Sequence, residues 1–152
     1  MSKSFLGTAA APTYAELTLV LEIVMGVGLL IGAQLARLRR YRWHAWCQSL
    51  IVLLNLVLIA LAMWPPFHGH ILPKLPSRIG KPYYALAAGH AALGGVAEFA
   101  GMYILLAAGT EILPEKFRIK RYKFWMRSVL VVWWMVLFLG IATYARWYVI
   151  WR

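Results

Sequence analysis

The sequence contains 152 residues, of which 62% are hydrophobic, and its mean hydropathy is +0.68. Soluble globular domains carry a larger polar share, so the composition excludes an ordinary soluble fold. The formal net charge of +11 would suggest nucleic-acid binding in a soluble protein. Here the basic residues lie between long apolar runs, and we expect them to contact anionic lipid headgroups and no nucleic acid.

Four apolar runs follow one another along the chain, and each is long enough to cross a bilayer as a helix. Crossing the hydrocarbon core takes about 20 apolar residues. The runs cover residues 15–36, 45–64, 83–108 and 124–145. The connections between them are too short to fold alone, so residues 1–152 are predicted to form a single membrane domain. The predicted fold class is all-α: an integral membrane bundle of four transmembrane helices.

The basic residues are distributed unequally between the two ends of the predicted bundle. Ten lie at the end formed by the first and third connections: Arg37, Arg39, Arg40, Arg42, Lys116, Arg118, Lys120, Arg121, Lys123 and Arg127. Six lie at the other end: Lys3, Lys74, Arg78, Lys81, Arg146 and Arg152. The positive-inside rule places the richer end in the cytoplasm. Both termini are therefore predicted to face outward from a multi-pass protein of the inner (plasma) membrane.

Glycine and proline mark local features of the first two helices. Gly28 and Gly32 are four residues apart, the spacing that lets two membrane helices approach closely. Pro65 and Pro66 are predicted to end the second helix, because proline cannot continue the backbone hydrogen-bond ladder. Residues 67–82 contain three further prolines, and we expect an extended, irregular loop there.

Two glutamates fall well inside predicted spans, where an unpartnered ionisable group is costly. A rise of about 1.5 Å per residue gives Glu22 and His90 the same depth below the outer surface, so we predict an outer polar layer of these two residues. The same arithmetic places Glu98 near Gln48 and Arg127. We predict these three as an inner polar layer, with an ion pair between Glu98 and Arg127.

Helix periodicity adds a second prediction for the polar residues. His44, Gln48 and Asn55 share one face of the second helix, and His90 and Glu98 share one face of the third. Facing each other, these two stripes would form a polar seam that fixes the register of the helices. A conduit for protons or small solutes through Glu22, Asn55 and Glu98 is the weaker alternative, because the many glycines and alanines indicate close packing.

The histidines are the candidate ligands for a cofactor or metal ion. Neutral imidazoles bind haem iron and copper, so His90 and His44 are candidate cofactor ligands. They lie near opposite leaflets, roughly 20 Å apart by helix rise, and cannot share one haem. A metal cluster of His90 with His68 or His70, and with Glu22, requires the proline-rich loop to fold back. The alternative for His90 is a hydrogen-bonded core histidine without a ligand.

From Arg40 to the C-terminus the chain resembles the DUF420 family of small multi-span membrane proteins, whose CtaM type is linked to assembly of haem-copper cytochrome oxidases. The similar features are a basic stretch with His44 opening a span, His68 or His70 after it, His90 inside the next helix, and a basic connection into an aromatic helix ending with Gly140, Tyr144 and Tyr148. The last basic connection reads Lys120-Arg121-Tyr122-Lys123, where the family usually has a histidine beside arginine.

The resemblance implies a membrane protein associated with a respiratory redox complex, with haem or copper handled through histidine. The alternative is a non-catalytic structural accessory subunit of a large respiratory or photosynthetic complex, with at most one axial histidine to a pigment or haem. In both cases the expected partners are other membrane protein subunits and lipids. The sequence shows no catalytic constellation, so we predict no enzymatic turnover.

Overall fold

The computed structural model describes residues 11–149, except residues 111, 113, 115 and 117–119. Four of its helices are long and apolar enough to cross a membrane: α1 (Thr13–Arg37), α2 (Tyr41–Arg78), α3 (Pro82–Gly109) and α4 (Tyr122–Tyr148). The prediction of an all-α, multi-pass bundle of four transmembrane helices is confirmed, with helices that contact lipid. Lys3, Arg118 and Arg152, three of the residues counted for topology, lie outside the described residues.

The prediction that Pro65 and Pro66 end the second helix, followed by an irregular loop, is wrong. Helical segments continue from Tyr41–Leu58 through Ile59–Met63, Trp64–Pro66, Phe67–Ile71, Leu72–Lys74 and Leu75–Arg78. The helix accommodates its prolines through local changes of helix type. Ile59–Met63 and Phe67–Ile71 are π-helical, and Leu72–Lys74 is a 3-10 turn.

Two features of the backbone explain why α2 remains helical despite its prolines. In the π-helical turns the N–H groups of Trp64 and Leu72 donate to carbonyls five residues back, a spacing associated with local irregularities in α-helices. Pro65, Pro73 and Pro76 each occupy the second position of a short helical segment. Each segment directly continues the one before it, so each proline removes one bond to the preceding turn, and the change of helix type accommodates this loss.

Each helix packs against two neighbours, so the four helices form a closed ring. α1 packs against α2 and α4, and α3 packs against α4 and α2. Because α1 and α3 share both neighbours, they face each other across the bundle. A side chain of α1 and a side chain of α3 can therefore meet only in the centre.

Close contact between α1 and α2 depends on the glycine pair of α1. A Cβ atom at Gly32 would collide with Gln48 Nε2, and one at Gly28 would lie 2.9 Å from Ile51 Cδ1. Side chains of α2 reach the exposed carbonyls: Cys47 Sγ donates to Gly28 O at 3.4 Å. The predicted close approach at this glycine spacing is confirmed, with α2 as the partner helix.

Candidate functional site

The centre of the bundle brings together an acid of α1 and a histidine of α3. Glu22 Oε1 lies 3.9 Å from His90 Nε2, and both side chains are largely buried. The two residues meet over Gly140 of α4, where an added Cβ atom would lie 2.8 Å from Glu22 Oε2 and 3.0 Å from His90 Cε1. Glycine at position 140 therefore makes the space in which the two side chains approach each other.

The tautomer of His90 follows from its hydrogen bond to α4. His90 Nδ1 lies 3.0 Å from the carbonyl oxygen of Val136. A carbonyl oxygen can only accept, so Nδ1 must carry the proton and donate it. In the neutral imidazole the other ring nitrogen, Nε2, then has a lone pair available. Nε2 is the nitrogen on the Glu22 side.

A groove of about 700 Å³ opens beside this pair and is bordered by all four helices. Its walls are mainly apolar, and its polar lining includes Glu22, Asn55 and His90. A groove of this size lies within the range of roughly 300–1,000 Å³ that is typical of small-molecule and cofactor sites. A few polar groups in an apolar wall are also typical of such sites.

Aromatic side chains of α3 and α4 form one end of the groove. Trp147 lines the groove and stacks on Tyr83, with ring centroids 5.0 Å apart. Trp147 Nε1 also donates to the carbonyl oxygen of Tyr83 at 3.3 Å. Tyr144 and Tyr148, which both line the groove, have ring centroids 5.2 Å apart. Aromatic rings at this level fit the membrane–water interface.

A second polar contact lies deeper in the bundle, between α2 and α3. Asn55 Nδ2 donates to Glu98 Oε2 at 2.8 Å. Glu98 is only 3% exposed, and its other oxygen, Oε1, has no hydrogen-bond partner among the described residues. The indole N–H of Trp134 is likewise buried without a partner there.

The predicted inner layer of Glu98 with Gln48 and Arg127 does not form. Trp133 Nε1 donates to Ala97 O, which sets Trp133 at the level of Glu98. Arg127 lies six residues earlier on α4, roughly 9 Å away along the axis, and is exposed. The depth estimate failed because Glu98 lies eleven residues before the end of α3, whereas Arg127 lies only five residues after the start of α4.

The predicted polar seam along α2 is also only partly present. Gln48 Nε2 donates to Leu29 O at 3.4 Å, and His44 Nδ1 contacts Gly32 O at 2.8 Å. Both side chains therefore face α1. Asn55 lies seven residues, about 10 Å, further along α2, and it alone of the three reaches Glu98.

The predicted metal cluster of His68 or His70 with His90 and Glu22 is not formed. The described residues contain no group of three or more histidine, cysteine, aspartate or glutamate side chains that could hold a metal ion. Because α2 stays helical through this region, it cannot fold back as the predicted loop would. His68 instead lies beside Trp64, with ring centroids 5.5 Å apart, and both histidines are exposed.

Sequence reasoning missed Gly140 and Val136 as parts of this site. The carbonyl of Val136 has no sequence signal, because every residue carries one. Gly140 does have one: it is the single glycine of α4, in a helix otherwise rich in large side chains. Glycine has a low helix propensity, so a single glycine in this helix indicates a close contact at that position.

Comparisons of the chain with protein-family models, with curated proteins and with solved structures find no match.

Proposed function

We propose that this membrane protein binds a haem-type tetrapyrrole in the groove through His90, and handles it beside a respiratory redox complex. The observation that carries the proposal is the orientation of His90. Its Nδ1–H donates to Val136 O at 3.0 Å, which leaves Nε2 unprotonated at a groove large enough for a cofactor. Histidines that bind metal ions usually donate their second ring N–H to a carbonyl or carboxylate.

The donor set favours haem over a copper ion. A protein copper site needs several donors from the chain, whereas a porphyrin supplies four nitrogens itself. Among histidine, cysteine, aspartate and glutamate side chains, the described residues place only His90 and Glu22 at this groove, and they form no group of three such donors. One axial histidine is sufficient to hold haem iron, so the geometry suits haem. A bound haem would supply one-electron chemistry at its iron.

The chain's own residues would each have a defined part in such a site. The backbone of α4 fixes the His90 ring through Val136 and keeps Nε2 free of a proton. Gly140 leaves room for that ring beside the Glu22 carboxyl group. The apolar walls contributed by alanines and glycines of α3 favour a flat apolar ligand. The association with a redox complex rests on the resemblance described above.

The proposal can be tested on protein purified from its native membranes in mild detergent. We expect the protein to bind added haemin stoichiometrically, with a Soret band and a spectrum typical of histidine ligation. His90→Ala should lose this spectrum while still accumulating in the membrane. His44→Ala is the matched control, since His44 also lies in a helix and contacts a backbone carbonyl, and its spectrum should be unchanged.

The accessory-subunit alternative predicts a different outcome. In that case the groove is filled by lipid or by a partner subunit, and His90 only anchors α3 to α4. Wild-type protein isolated with its partners would then be colourless and would not bind haemin. His90→Ala would lower the yield of the complex and leave its spectrum unaffected.

A further inference from the structure

A small, partly open cavity lies between Glu22 of the outer pair, Glu22 and His90, and Asn55 of the inner pair, Asn55 and Glu98. Its volume is about 40 Å³, and its walls include Glu22, Asn55 and Trp134. About 10–15 Å³ on this scale holds one water molecule, and internal waters need two to four polar partners. The cavity therefore has the volume and the polar lining for two or three waters.

Two buried polar atoms, one in the cavity wall and one on a residue bonded to that wall, have no partner among the described residues. One is Nε1 of Trp134, a residue of the cavity wall, and the other is Oε1 of Glu98, whose Oε2 is bonded to the wall residue Asn55. An unpaired buried polar group destabilises the folded protein. The cost for Oε1 arises in both states of the carboxyl group: the ionised form lacks a donor, and a protonated Oε1 lacks an acceptor.

The cavity adjoins the large groove. Glu22, Asn55, Gly94 and Val136 line both spaces, so the cavity is an inward extension of the groove. Gly94 is important here, because an added Cβ atom would lie 3.4 Å from Val136 Cγ1 and would narrow the junction.

Apolar side chains form a large part of the cavity wall. Met25 and Leu29 line the cavity and form a buried cluster with Ile51. On α3, a Cβ atom at Gly101 would lie 3.4 Å from Val52 Cγ2, so little space remains beyond Glu98. The lining shared with the groove is the route by which water would reach Glu98.

We propose that water fills this cavity and connects the groove to Glu98, which makes Glu98 a proton-binding site supplied from the groove. The site is independent of haem binding, because it uses none of the bonds that orient His90. Hydrogen bonds from water to Trp134 Nε1 and Glu98 Oε1 complete the two unpaired groups. The Asn55 amide holds the carboxyl group at the end of the water chain.

Silver-ion accessibility of single cysteines tests the proposal in lipid nanodiscs. The background variant is Cys47→Ser, which removes the native thiol and keeps a donor to Gly28 O. Ala97→Cys places a thiol in the cavity wall, and Val96→Cys places one at the same depth on an exposed face. Silver ions react with thiolates, which form poorly in apolar surroundings. If water fills the cavity, the thiol of Ala97→Cys should therefore react roughly tenfold faster than the thiol of Val96→Cys. Equally slow reaction of both would overturn the proposal.

Infrared spectroscopy gives a second test that needs no cysteine. On transfer from H₂O to D₂O, a carboxyl C=O band absent from Glu98→Gln should shift as fast as the sample hydrates. The amide bands of the α3 backbone should shift much more slowly. A Glu98 band that shifts only as slowly as these amide bands would contradict water access. Ionised Glu98 has no exchangeable carboxyl proton and would instead give a carboxylate band that disappears in Glu98→Gln, and the silver-ion comparison is then the deciding test.

Discussion

Gly140 and His90 are so close that a Cβ atom at position 140 would lie 3.0 Å from His90 Cε1. The contact joins α4 to α3 at the point where Glu22 of α1 also arrives. Three helices thus meet at a position that only glycine can occupy without displacing a polar side chain. The absence of a side chain at position 140 is therefore as necessary to the site as the Glu22 carboxyl group and the His90 imidazole.

The first prediction concerns this glycine. Gly140→Ala should displace Glu22 and His90 and lower the free energy of unfolding by about 1–3 kcal/mol, the usual cost of overpacking. The measurement is unfolding by SDS in mixed micelles. Gly89→Ala is the matched control, because an added Cβ atom there meets nothing within 4 Å. Equal stability of the two variants would show that the space at Gly140 is not needed.

The second prediction concerns the bond between Asn55 and Glu98. Asn55→Leu leaves the buried carboxyl group without its described partner and should cost about 1–3 kcal/mol in unfolding free energy. Adding Glu98→Leu should recover part of this loss, because an apolar pair avoids the unsatisfied group. The double-mutant cycle measures the coupling. Strictly additive effects would mean that the two side chains do not interact.

The third prediction separates Arg127 from the polar interior. Because Arg127 is exposed and lies roughly 9 Å from the level of Glu98 along the helix axis, Arg127→Ala should change the unfolding free energy by no more than about 0.5 kcal/mol. Glu98→Ala in the same assay should have a clearly larger effect. A large loss of unfolding free energy in Arg127→Ala would instead support the ion pair with Glu98 that the sequence predicted.

The sequence predicts the fold well and the site only in part. Length and hydropathy determine the four spans, because the bilayer sets the length of an apolar helix. Helix rise alone was enough to pair Glu22 with His90, since both are counted from the same membrane surface. The same counting failed for Arg127, because Glu98 was counted from the outer surface and Arg127 from the inner end of its helix, and α3 is too long for the two counts to meet.

The remaining differences have local causes. The path of α2 past Pro65 depends on π-helical turns, which leave no pattern in the sequence. The partners of His44 and Gln48 depend on which face of α2 meets α1, and helix periodicity groups residues on a face without naming the neighbour. The Val136 carbonyl, which orients His90, is a backbone group and is invisible to motif analysis.

The fourth prediction concerns orientation in the membrane. With both termini outward, the connection between α2 and α3 faces outward and the end of α3 faces the cytoplasm. In a Cys47→Ser background, Ser77→Cys should react with an impermeant maleimide in intact spheroplasts. Thr110→Cys should react only after permeabilisation. Both positions are exposed, so the comparison reports sidedness, and the reverse pattern would invert the topology.

The central claim is that His90 Nε2 binds haem iron, and the most direct test is chemical rescue of His90→Gly. Removing the imidazole leaves a space beside Val136 and Gly140 that free imidazole can enter. The account predicts that His90→Gly binds haemin weakly and without the histidine-type spectrum, and that added imidazole restores the wild-type Soret band and affinity. A wild-type spectrum in His90→Gly without imidazole, or wild-type protein that binds no haemin, would contradict the account.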